Sequence, residues 1–178
     1  MKFPRPSRSL VAALALALVC ASMPGTPAAA GTLPRLEADS IGGTHVVLPT
    51  DAAGKTLVIL LAFTKEAEGD LKLWTRKLLD DRIGDHDAFY VVVVVDKAAF
   101  VSHKHVRDLV EGASVGTKQQ IDSNVLVTFS GTGWRDLVPP GDKKTAGIVI
   151  CDPSGSVIYA KREPFNDANL AEVEKAAK

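Results

Sequence analysis

The chain has 178 residues, 46% of them hydrophobic, with 21 Lys+Arg balanced by 21 Asp+Glu. Three of the basic residues and none of the acidic ones precede Gly31, which leaves 18 against 21, a net charge of −3, for the remainder. Phosphate backbones demand clustered Lys and Arg; the remainder has no long basic run, so a nucleic-acid partner is not expected.

Residues 1–30 read as a secretory signal peptide. Lys2, Arg5 and Arg8 form a basic head, Leu10–Val19 is an unbroken run of Leu, Val and Ala, and Ala28-Ala29-Ala30 supplies an A-x-A cleavage site. The apolar run falls short of the roughly 20 residues a membrane-spanning helix needs, so no transmembrane helix is expected after cleavage. Val19 is too bulky for the residue before a lipidated cysteine, so Cys20 is not expected to carry a lipid. The protein is therefore expected in the periplasm, as one domain over residues 31–178. Cys20 and Cys151 are the only cysteines. Cleavage leaves Cys151 alone, which excludes an intramolecular disulfide although the compartment would permit one.

Gly31 to about Arg35 is expected to be a loose leader. Leu36–Asp39 and Thr44–Leu48 flank Gly42-Gly43 and suggest a hairpin. Leu57–Phe63 is apolar throughout, as suits a central strand covered on both faces. A helix is predicted from Glu68 or Asp70, with Leu71, Trp74 and Leu78 on the buried stripe and Lys72, Arg76 and Lys77 facing water. Phe89–Val95 is a second buried strand, marked by its β-branched residues. A second helix is predicted from Ala98 to about Glu111, and an extended segment at Val125–Phe129. Trp134–Lys144 reads as a loop, and Ala146–Cys151 as a strand. Asp152-Pro-Ser-Gly155 is a hairpin turn into Ser156–Ala160. Asn166 or Asp167 caps a last helix with Leu170 and Val173 inward. The order predicts an α/β fold with a mixed sheet flanked by helices and an N-terminal β-hairpin extension.

This order resembles the exported thioredoxin-like proteins of the peroxiredoxin and cytochrome-maturation branch. The residues that carry the likeness are Gly54-Lys55 leading to a strand that ends in Phe63, and Asp152-Pro-Ser-Gly-Ser-Val157 after a buried strand. The resemblance places a redox cysteine pair near Glu68 and Leu71, where the chain reads Glu68-Gly69-Asp70-Leu71. It also implies a cis-proline near Thr145-Ala146, where there is none. A thiolate is the nucleophile of disulfide exchange, and neither carboxylate nor alkyl replaces it. Dithiol oxidoreductase activity is therefore not expected.

Several residues remain as candidates. Glu66, Glu68 and Asp70 form either an acidic recognition patch or helix-terminus electrostatics. Asp96 and Trp134 fall on strand-end loops, where open α/β sheets bind ligands; Trp134 either faces a partner or caps the core. Cys151 reads as a small buried hydrophobe, the alternative being a one-cysteine peroxidase or thiol-transfer enzyme. His103 and His105 have i, i+2 spacing, which converges on a metal only in an extended segment, and a zinc or copper site needs three or four ligands with supporting partners. No cofactor motif is present, and none is expected. The expected role is a binding or assembly module without redox chemistry, engaging another exported protein through Thr64–Asp70, Asp96–Ala99 and Gly131–Lys144.

Overall fold

The apolar run at Leu57 forms β3 (Leu57–Ala62), and all six of its residues are buried. The computed structural model describes residues 31–80, 88–95, 122–128 and 131–178. Around β3 stand β1 (Leu36–Ser40), β2 (His45–Leu48), β4 (Ala88–Val94), β5 (Val125–Thr128), β6 (Gly147–Cys151) and β7 (Val157–Arg162). The described helices include α1 (Glu68–Asp80), α2 (Gly131–Arg135) and α3 (Asp167–Ala176). The strands make one seven-stranded sheet in the order β2-β1-β5-β4-β3-β6-β7. Strands β3, β4 and β5 run parallel, while β6 lies antiparallel to β3 and β7 antiparallel to β6. Strand β1 pairs antiparallel with both β2 and β5, so the first two strands continue the sheet.

Alternation along β3 divides the core, because successive side chains point to opposite faces. Val58 and Leu60 pack with Leu71, Trp74 and Leu78 of α1 and with Leu170 and Val173 of α3. Leu57, Ile59, Leu61 and Phe63 pack on the other face with Leu48, Val92, Trp134 and Cys151. Trp74 and Leu78 have no exposed surface, and the predicted stripe of α1 is the buried one. The edge strand β2 is blunted: Val47 donates its amide to Asp51 Oδ2 at 2.7 Å, which removes a donor from the open edge.

The leader is not loose. Leu33 donates to the Gly155 carbonyl and Val157 to the Gly31 carbonyl, each at 2.8 Å. Leu33 is only 2% exposed, so burial of its side chain in the Trp134 face of the core ties down a segment that local sequence marks as irregular. The turn that receives it is built as predicted. Asp152 Oδ1 accepts from the amides of Ser154 and Ser156, and Gly155 takes φ +84°, a conformation that favours glycine. Asn166 caps α3, its side chain accepting from the Asn169 amide at 2.9 Å. The segment expected as a loop from Trp134 instead begins inside α2, since Trp134 is drawn into the core.

The helix predicted from Ala98 to about Glu111 lies outside the described residues. Among the described residues, no helix is long and apolar enough to cross a membrane.

Truncation of Trp74, the largest fully buried side chain, leaves a cavity between α1 and the sheet. Trp74→Ala is expected to cost about 3–5 kcal/mol, read as a lowered urea midpoint.

Candidate functional site

The carboxyl end of β3 delivers the chain to a short bridge. Thr64 donates its hydroxyl to the Lys143 carbonyl at 2.5 Å, and one 3-10 turn, Lys65–Ala67, leads into α1. Asp70 follows in the first turn of α1. Its Oδ2 accepts from the Ala146 amide at 2.8 Å and its Oδ1 from the Phe165 amide at 2.7 Å. One carboxylate therefore joins three segments distant in sequence: the start of α1, the entry to β6, and the link from β7 to α3. One helical turn further, Trp74 meets the Phe165 ring edge-on, with centroids 5.2 Å apart and planes at 86°. Residues i and i+4 share a helix face, so the polar and aromatic contacts to Phe165 reinforce each other.

This geometry gives different surroundings to the three carboxylates expected as either a recognition patch or helix-terminus electrostatics. Both oxygens of half-buried Asp70 are engaged in the fold. Glu68 pairs with Lys72 at 2.6 Å in an i, i+4 arrangement on α1. Glu66 is exposed beside them. Trp134, a candidate contact residue, is 2% exposed and packs in the core, so it caps that core and offers no surface to a partner. Asp96, His103 and His105 lie outside the described residues. Among the described residues no group of His, Cys, Asp and Glu is arranged to hold a metal ion.

Cys151 ends β6 opposite Leu57 of β3 and is fully buried. Burial, reinforced by the nearby Asp152 charge, pushes its thiol up to about 11. Asp152 is held below the usual carboxylate range by the Ser154 hydroxyl and the amides of the turn. A nucleophilic thiol needs accessible, electropositive surroundings, and Cys151 has the opposite of both.

A basic cluster adjoins the bridge, and no local pattern in the sequence announces it. The Arg135 and Arg162 guanidinium carbons lie 5.5 Å and 5.0 Å from the centroid of the Phe63 ring. Only Phe63 had a signal, as the aromatic that ends a buried strand. The two arginines are remote in sequence and meet because α2 and β7 both terminate at this edge.

No protein-family model matches the chain, and no curated protein does. Solved structures do match. The thioredoxin domain of a thiol-disulfide oxidoreductase from Bacteroides vulgatus superposes with a TM-score of 0.59 at 18% identity, covering 86% of this chain and 100% of that one. The fold is thioredoxin-like. BsSco, described as a member of the Sco family of cytochrome c oxidase assembly proteins, gives a TM-score of 0.58 at 12% identity over 85% of this chain and 96% of that one. A SCO1/SenC family lipoprotein from Bacillus anthracis gives 0.52 at 10% identity, covering 83% and 95%. In this thioredoxin-like chain, the segment reading Glu68-Gly69-Asp70-Leu71 faces the entry to β6 and is joined to it by the Asp70 carboxylate.

Removal of that carboxylate strands two backbone donors. Asp70→Ala is expected to lower stability by about 2–4 kcal/mol, and Asp70→Asn, which keeps one acceptor, by about 1–2 kcal/mol. Urea denaturation of both variants checks the order.

A second expectation concerns alkaline pH. The Cys151 thiol titrates near 9 when unfolded and about 11 when folded, so between those values the unfolded chain binds fewer protons than the native one. Stability must then fall as pH rises through that window. Tyr159, raised by burial to about 12 from 10.0, extends the decline in the same direction. Urea midpoints across the window should drop less steeply for Cys151→Ala than for the parent.

Proposed function

We propose that this protein is an exported thioredoxin-like binding or assembly module that works without dithiol redox chemistry. The observation that carries this reading is the Asp70 cross-link. A carboxylate with both oxygens committed to backbone amides stands where the resemblance puts a thiol pair, and it holds the facing loop closed. The single cysteine of the processed chain is buried with a raised pKa, which disfavours the alternative of a one-cysteine peroxidase or thiol-transfer enzyme.

Export is supported by the basic head, apolar run and A-x-A site of residues 1–30, and is consistent with a lipoprotein among the similar structures. An assembly role has the similarity to BsSco in its favour, which is an analogy of fold and not of chemistry. The partner would be another exported protein, met at the strand-end edge around Thr64, exposed Glu66 and the loop to Lys144.

Two measurements test the proposal together. Insulin reduction and peroxide consumption should equal the protein-free blank, for the parent and for Cys151→Ser alike. A photo-reactive residue at Glu66 should give a discrete cross-linked product in cells, whereas one at Lys55, at the opposite end of β3, should not. Thiol-dependent turnover that disappears with Cys151→Ser would overturn the redox part, and equal cross-linking from both ends would overturn the assignment of the face.

A further inference from the structure

Two arginines from separate elements close over one aromatic ring at the carboxyl end of β3. Phe63 is 7% exposed, so its ring is the floor of the arrangement. Each guanidinium lies within the 6 Å range of a cation–π contact. A guanidinium is a planar fork of N–H donors, the geometry that grips carboxylate or phosphate through paired hydrogen bonds.

Arg162 is also pre-positioned. Its Nε donates to the Thr145 carbonyl at 3.2 Å, which sets the plane of the fork. Gly141 lies so close to its stem that a Cβ there would come within 2.9 Å of Cδ. Little side-chain freedom is left to lose on binding, and preorganisation of this kind raises affinity.

The electrostatics favour an anion. Partial burial and the neighbouring Arg135 charge lower the Arg162 pKa, with Asp142 acting in the opposite sense. Lys143 and Lys144 stand exposed on the same loop, so positive charge gathers at this edge of a domain whose net charge is −3.

We propose that the Phe63–Arg135–Arg162 cluster is a binding site for a small oxyanion, a carboxylate or phosphate group taken up by the two guanidinium groups. The site does not depend on a protein partner and would stand if none engaged this edge.

The test is nuclear magnetic resonance of the arginine Nε–H signals in isotope-labelled protein. Inorganic phosphate is titrated, then acetate, each against sodium chloride of matched ionic strength. The Arg135 and Arg162 signals should shift and saturate with phosphate or acetate, the stronger of the two identifying the preferred oxyanion. Arg162→Lys, which keeps the charge and loses the fork, should weaken saturation at least about tenfold. Exposed Arg135→Gln carries the same expectation should Arg162→Lys unfold. Shifts that are linear, that chloride reproduces, or that persist unchanged in the folded variants would overturn the site.

Discussion

One carboxylate holds the strand-end edge of this molecule together. Asp70 accepts one hydrogen bond from the entry to β6 and one from the link between β7 and α3, and hydrogen bonds to charged groups contribute about 1.5–3 kcal/mol each. Domains of this size are stable by only about 5–15 kcal/mol, so the pair is a substantial share. It also dictates position. With Ala146 and Phe165 tied to the first turn of α1, the Phe165 ring must meet Trp74, and α3 follows onto the same face of the sheet.

The same bond governs what the edge can do. In this molecule the first turn of α1 lies against the entry to β6. Here the two are joined through Asp70, whose oxygens are satisfied by backbone, and the exposed chemistry is displaced to the flank where Arg135 and Arg162 cover Phe63. The thiol lies at the opposite end of β3, beside Leu57 and in the same buried layer as Phe63. Burial that keeps it protonated also makes it a packing group.

Much of the scaffold was legible because it rests on short-range periodicity. Leu71, Trp74 and Leu78 fall on one helical face, Leu57–Ala62 is too short and too apolar to be other than a covered strand, and Asp152-Pro-Ser-Gly155 closes a turn by hydrogen bonds within five residues. The leader failed this logic, since Leu33 is fixed by contacts with residues more than a hundred positions away. Trp134 failed it too: a tryptophan between glycines and a charged stretch reads as exposed until the core on the Phe63 side of the sheet is assembled.

By itself the sequence determined the mixed α/β order, the buried stripe of α1, and the absence of a cysteine pair at the head of that helix. These depend on residue type, spacing and count, which no folding event alters. Only the tertiary structure decided that Asp70 is a cross-link, that Trp134 belongs to the core, and that Arg135 and Arg162 share one ring. Each is a contact between segments remote along the chain, and a hydrogen bond or a stacked guanidinium is specified by distance and direction, which linear order does not carry.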